Sequence, residues 1–170
     1  KGETTMHIHK YEKWWLVFGC GSLVAFLIIL GIGAFHTGTH PNDSKWTINY
    51  EKVDEIKPFD NPGVHKVEGK EWDYEVVVVS SMFNYNPGEI EVPLGSVVKF
   101  IATTKDVIHG FQIAGTNINL MLEPGYVSEY VAEMNQAGEY LIVCNEYCGT
   151  GHAMMYSMLK VVDENATSHE

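Results

Sequence analysis

The first regular feature of the chain is an uninterrupted apolar run from Trp14 to Phe35, 22 residues without a charge. As a helix rising 1.5 Å per residue it covers about 33 Å, enough for a bilayer core of about 30 Å. Residues 36–72 then show little periodicity. They carry Pro41, Pro58 and Pro62 among clustered Asn, Asp, Gly and Lys, and read as a linker. From Asp73 onward, short β-branched and apolar runs alternate with turn residues. Strands are predicted over 74–79, 90–92, 97–103, 107–113, 126–132, 139–143 and 156–162. Between them stand Asn86-Pro-Gly88, Pro93-Leu-Gly95, Pro124-Gly125 and Ala137-Gly138. Short strands at such spacing predict an all-β sandwich or barrel. The expected division is an N-terminal segment 1–13, a transmembrane helix 14–35, a linker 36–72, a β-domain 73–163 and a tail 164–170. No internal repeat is visible.

The apolar run has rivals to a membrane span. A cleaved signal peptide has a shorter apolar core and ends at small residues, whereas Phe35-His36 follows here. A lipidated Cys20 needs most of the apolar residues ahead of it, and most follow it. Cys20 reads instead as a small apolar residue facing other helices. Trp14 and Trp15 fit an interfacial belt. Lys10 and Lys13 flank the start, and the next lysine is Lys45. Positive-inside bias therefore puts the N-terminus in the cytoplasm and the β-domain outside. Residues 1–5 read as an addition ahead of a natural start at Met6.

Charge adds to this picture. The chain has 22 acidic residues, 11 lysines and no arginine. Nucleic-acid binding relies on bidentate arginine contacts, so that class is set aside. Beyond residue 40, 8 lysines face 20 acids, a balance of −12. Such a field either steers a basic protein partner or only keeps the domain soluble.

The candidate chemistry lies in Cys144-Asn-Glu-Tyr-Cys148-Gly-Thr-Gly-His152-Ala-Met-Met155. Two thiols, an imidazole and a thioether are soft or borderline donors. Hard cations take carboxylates and carbonyls instead. Thiolate and thioether with imidazole select copper, and zinc sites rarely use methionine. A mononuclear blue site needs one Cys, two His and a long axial Met. Here a second thiolate lies in the same loop. Two thiolates can bridge two metals in a compact Cu2S2 core, each copper taking a terminal imidazole.

His152 and Met155 supply one set of terminal donors. The second imidazole is expected from His109, in Asp106-Val-Ile-His-Gly-Phe111 at a predicted strand end. His7, His9, His36, His40, His65 and His169 fall in the tail, linker or C-terminus and are poorer choices. A disulfide between Cys144 and Cys148 is the competing reading for the pair. An exterior compartment permits it, but it leaves His152 and Met155 unexplained. With every position filled by protein there is no place for substrate, so the site suits electron transfer.

The pattern Cys-x3-Cys-x3-His-x2-Met, with an upstream Asp-Val-x-His, resembles subunit II of the haem–copper oxidases and its CuA centre. Gly115-Thr-Asn-Ile-Asn119 and Tyr11-Glu-Lys-x-Trp15 support the resemblance, which runs from Tyr11 to about Val162. One span and a short chain look like the B-type (ba-type) branch; A-type subunits have two spans. The resemblance implies a cupredoxin-like Greek-key β-sandwich after one transmembrane helix. It implies a binuclear centre bridged by Cys144 and Cys148, with His109 and His152 terminal. Met155 would be axial on one copper and the backbone carbonyl of Glu146 on the other. It also implies electrons from cytochrome c, passed to haem in oxidase subunit I, where oxygen is reduced. The expected location is a bacterial or archaeal plasma membrane, with the copper domain on the outer face.

Two further roles come from the resemblance. Glu12 falls where the B-type branch has its proton-entry glutamate; otherwise it is a solvated carboxylate beside Lys13. Phe83 and Tyr85 resemble an aromatic segment near the copper, serving either donor docking or core packing. Competing functions are the CuA domain of nitrous oxide reductase, a membrane-anchored copper carrier without redox role, and a copper-free quinol oxidase subunit. The first needs a large propeller that 170 residues do not hold. The second favours exposed, exchangeable ligands, and the third lacks them.

Overall fold

A computed structural model describes residues 8–36 and 44–163. They fall into two units, an N-terminal helix and a β-domain. Residues 1–5, the tail 164–170, His7, His40 and His169 lie outside the described residues.

Helix α1 spans Lys10–His36, 27 residues. It starts ahead of the apolar run because Lys10 to Lys13 are good helix formers, and Lys13 N–H donates to the His9 carbonyl at 3.0 Å. None of its residues is buried. Phe18, Leu23, Ile29 and Phe35 stand exposed along it. It is long and apolar enough to cross a membrane. A helix satisfies its own backbone, which is what a hydrocarbon surround demands.

The strands of the β-domain are β1 (Ser44–Thr47), β2 (Gly63–Lys66), β3 (Tyr74–Ser81), β4 (Asn84–Asn86), β5 (Glu89–Pro93) and β6 (Val97–Thr104). They continue with β7 (His109–Ile113), β8 (Asn119–Leu122), β9 (Tyr126–Glu133), β10 (Gly138–Val143) and β11 (Tyr156–Val162). One sheet has the order β1-β9-β6-β3-β2, with β4 also paired to β3; the other runs β5-β11-β10-β7-β8. β3 pairs parallel with β6, and β5 pairs parallel with β11. The remaining pairings are antiparallel.

The sheets pack face to face through alternating positions. Val98, Phe100 and Ala102 of β6 meet Phe111 and Ile113 of β7, Leu120 and Leu122 of β8, and Leu159 and Val161 of β11 in one cluster. Phe100 and Phe111 touch with ring centroids 6.1 Å apart. Burying each ring contributes roughly 1.5–3 kcal/mol.

The unbroken run Val76 to Val79 breaks the alternation, because β3 is covered on both faces. Val76 and Val78 enter the main core, whereas Val77 and Val79 enter a second cluster with Val53, Phe59, Ile101 and Val127. This corrects the linker reading of 36–72 over its residues 44–72. Val53 and Phe59 cap the outer face of the first sheet, with Trp46 and Ile48 packed beside them. Strands β1 and β2 add its two edges. Trp46 stacks on Phe59 at 5.9 Å and donates to Glu129 of β9 at 3.2 Å. The period was hidden because this stretch holds only two four-residue edge strands and a 3-10 helix over Tyr50–Glu55, with Ile48 and Phe59 in the connections between them.

The expected strand 107–113 starts only at His109. Val107 and Ile108 are exposed, and Val107 N–H turns onto the Asp106 carboxylate at 2.7 Å. Short strands β4 and β8 were not expected; each has only three or four residues.

Candidate metal centre

The donors meet because of strand register. β10 and β11 are antiparallel neighbours whose last pair is Val143 with Tyr156. The twelve-residue segment between them is therefore a closed loop, tied at its base by Cys144 N–H to the Met155 carbonyl at 3.3 Å. β10 also pairs with β7, Val143 opposite Gln112. Continuing that register sets Cys144 opposite Phe111 and Asn145 opposite Gly110, whose N–H donates to Cys144 Sγ at 3.4 Å. His109, next along, reaches the same sulfur.

Cys144 Sγ lies 3.9 Å from His109 Nδ1, 3.7 Å from Cys148 Sγ and 3.1 Å from the Glu146 carbonyl oxygen. Cys148 Sγ lies 3.7 Å from His152 Nδ1 and 3.8 Å from Met155 Sδ. The structure thus brings together His109, Cys144, Glu146, Cys148, His152 and Met155. Glu12 belongs to the other unit, in the first turn of α1, and is exposed. Both cysteines are free thiols.

The donor atoms of His109, Cys144 and Cys148 all lie within 4.8 Å of one another, and all three residues are buried. Two metal–sulfur bonds of about 2.3 Å meeting at a tetrahedral angle span about 3.8 Å. The sulfur–sulfur gap of 3.7 Å matches that span. Soft sulfur with imidazole fits copper, so residues present and metal implied agree.

Burial, then the neighbouring Cys144 thiol, push the Cys148 thiol up to about 11. Metal uptake must displace the Cys148 proton, so affinity rises with pH. Burial, with Cys144 next, also raises the Tyr85 phenol. It stays protonated and donates to the Gly110 carbonyl at 2.5 Å. Burial alone would raise the Asp106 carboxyl. Hydrogen bonds from His109, Val107, Met82 and Thr104 outweigh it and hold the group below the ordinary carboxylate range.

The docking alternative for Tyr85 is corrected. Its ring is 1% exposed and packs edge-on to Phe111 at 5.6 Å. Phe83 is half-buried and lies against the loop between β10 and β11. A Cβ on Gly149 would come within 3.2 Å of its ring, and one on Gly151 would overlap it. Gly149 also has φ +130°, which L side chains rarely adopt.

Asp106, Gly110, Asn119 and Asn145 had no assigned site role in the sequence. Asp106 Oδ1 sits 2.8 Å from His109 Nε2. Asn145, after Cys144, donates to Asn119 Oδ1 at 3.1 Å. The linear signal was their presence inside the Asp106 to Phe111, Gly115 to Asn119 and Cys144 to Met155 runs.

On the solvent side, a recess of about 400 Å³ is lined by Leu141, Val143, Cys144, His152, Ala153, Met155 and Tyr156. Around it Tyr147, Met154 and Tyr156 are 78%, 79% and 65% exposed.

Comparison with known proteins agrees with this geometry. Residues 41–162 match the family described as cytochrome C oxidase subunit II, periplasmic domain. A cytochrome c oxidase subunit 2 from Thermus thermophilus is 38% identical over 156 residues, 91% of this chain and 93% of that one. A chain of a heme-copper terminal oxidase dimer superposes with TM-score 0.73 at 29% identity, covering 90% of this chain and all of that one. The periplasmic domain of a cytochrome oxidase subunit II from Bradyrhizobium japonicum, at 20% identity and TM-score 0.52, shares the fold over 58% of this chain and 91% of its own. The β-domain is a cupredoxin-like sandwich, and the chain belongs to the cytochrome c oxidase subunit II family.

Proposed function

We propose that this chain is the electron-entry subunit of a terminal respiratory oxidase, taking electrons from a cytochrome c at a binuclear copper centre and passing them to haem in subunit I. The observation that carries this reading is the convergence of six donors from β7 and one loop, with sulfur gaps of 3.7–3.8 Å. Copper supplies one-electron acceptance and release at that position. Cys144 and Cys148 would bridge two ions, His109 and His152 would be terminal ligands, and Met155 and the Glu146 carbonyl would be weak axial donors. The sandwich keeps these side chains in place whatever the charge of the centre. Burial of His109, Cys144, Cys148 and Met155 excludes water.

Tyr147 packs edge-on to the half-buried His152 with ring centroids 5.7 Å apart, and Met154 and Tyr156, close by in the chain, are exposed. An apolar rim beside a ligand suits a transient redox partner that must release again. A copper carrier without redox role is not favoured, because four of the donors are sealed in a folded core. The single apolar helix, with Lys10 and Lys13 at its start, supports a single-pass anchor with its N-terminus in the cytoplasm. The β-domain then stands on the outer face of a bacterial or archaeal plasma membrane.

The test is copper loading of the full chain in detergent. Two coppers per chain sharing one unpaired electron are expected in the paramagnetic resonance spectrum. One copper with a mononuclear spectrum, or zinc held in preference, would sink the reading.

Glu12 is proposed to pass protons toward subunit I from the membrane boundary. It occupies the first turn of α1 and is exposed. Ionisable groups at such a boundary are functional candidates. Glu12→Gln is expected to slow turnover of the assembled oxidase about 100-fold or more, the scale of losing one proton-transfer group. Full turnover would remove the role.

A further inference from the structure

We propose that Asp106 is a positioning residue that locks two separate walls of the metal site with one carboxylate. It fixes the His109 ring through Nε2, and it seats Phe83 beneath the loop that carries Cys148 and His152. The proposal rests on the copper reading above.

The first tether is direct. His109 is fully buried, with Nδ1 facing Cys144 Sγ at 3.9 Å and Nε2 held 2.8 Å from Asp106 Oδ1. An ionised carboxylate only accepts hydrogen bonds. The proton of the neutral ring must therefore sit on Nε2, which leaves the Nδ1 lone pair aimed at the sulfurs. A ligand histidine free to choose its tautomer, or to flip, would spend part of its time with a hydrogen there instead.

The second tether runs to another part of the chain. Asp106 Oδ2 accepts Met82 N–H at 2.6 Å. Met82 precedes Phe83, whose ring fills the space that side chains at Gly149 and Gly151 would need. Those glycines flank the turn between Cys148 and His152. Asp106 thus links the strand bearing one imidazole to the wedge supporting the loop that bears the other. Thr104 Oγ1 and Val107 N–H add contacts to Oδ1 at 3.1 and 2.7 Å, which hold the carboxylate itself.

Asparagine has almost the same shape but only one acceptor oxygen. In Asp106→Asn the amide NH2 must face either Met82 N–H or His109 Nε2–H, donor against donor, so one tether is lost. Phe83→Ala removes the wedge and leaves the His109 tether.

The experiment compares wild type, Asp106→Asn and Phe83→Ala as full chains in detergent. In the metal-free state, nitrogen-15 NMR reads the His109 tautomer. After copper loading, affinity, redox potential and copper hyperfine pattern are measured. Asp106→Asn is expected to mix the His109 tautomers or loosen the loop, to alter the hyperfine pattern and potential, and to lower copper affinity about 10–100-fold. Phe83→Ala is expected to keep the single tautomer while losing affinity. Wild-type affinity, spectrum and potential in Asp106→Asn would overturn the proposal. So would a wild-type chain whose His109 carries its proton on Nδ1, and that outcome is decided without metal. If Asp106→Asn does not fold, Phe83→Ala and the wild-type tautomer still decide it. Failure of the wild-type chain to take up two coppers counts against the copper reading alone.

Discussion

Cys148→Ser is expected to leave the domain folded and to abolish electron entry. Cys148 is the hub of the donor set, 3.7 Å from Cys144 Sγ, 3.7 Å from His152 Nδ1 and 3.8 Å from Met155 Sδ. Without its sulfur, His152 and Met155 lose their connection to Cys144 and His109. A serine hydroxyl is a hard donor that copper does not favour. The fold tolerates the change better than the site does. In the metal-free protein burial and Cys144 raise the Cys148 thiol to about 11, so a neutral thiol is exchanged for a neutral hydroxyl. The cost is that of burying one hydroxyl, about 1–3 kcal/mol. Copper content should fall from two to one or none, with a mononuclear spectrum. Oxidase turnover should fall more than about 100-fold, beyond the loss seen when a group that merely supports a ligand is removed. Two coppers with an unchanged spectrum would contradict the assignment of Cys148 as a bridge.

The second large effect is expected at Gly110, where the constraint is space. Gly110 has no positive φ. A Cβ there would lie 2.6 Å from the Asn145 backbone nitrogen and overlap the Asn145 side-chain amide. Asn145 cannot withdraw alone. It follows Cys144 in the chain and is tied to Asn119 at 3.1 Å. Gly110 itself donates to Cys144 and accepts from Tyr85. Gly110→Ala must therefore part β7 from the copper loop, moving His109 away from Cys144. Overpacking of this kind costs about 3 kcal/mol at the top of its usual range. For a domain of this size that lowers the thermal midpoint by roughly 10–15 °C. Copper affinity should fall with it. Gly88→Ala is the control, because its nearest neighbour would be 4.0 Å away. A change within about 0.5 kcal/mol is expected there. Equal effects at the two glycines would show that crowding against Asn145 is not the cause.

Much of the β-domain was legible because burial has a period. Ile90 and Val92, or Leu159 and Val161, alternate with less buried neighbours and mark one-sided strands. Val76 to Val79 was legible as a strand but not as a two-faced one. Its second cover, Val53 and Phe59, comes from a stretch whose apolar residues follow no period. The strand start at Val107 was misread for a related reason. Val107 and Ile108 look like strand residues, but the Asp106 carboxylate captures Val107 N–H and turns the chain.

The site divides along the same line. The sequence by itself determined the donors, because ligand softness belongs to the side chain and the loop holds four of them within twelve residues. It also determined the membrane-length helix, since length and absence of charge are local properties. The tertiary structure alone decided how those donors converge. His109 stands 35 residues before Cys144 and reaches it through the pairing of β7 with β10. The close approach at Gly110, the wedge of Phe83 and the double grip of Asp106 follow from that register. They are contacts between segments, set by which strand lies beside which. The run from Cys144 to Met155 therefore offers the soft side chains, and the sheet around it brings them together with His109.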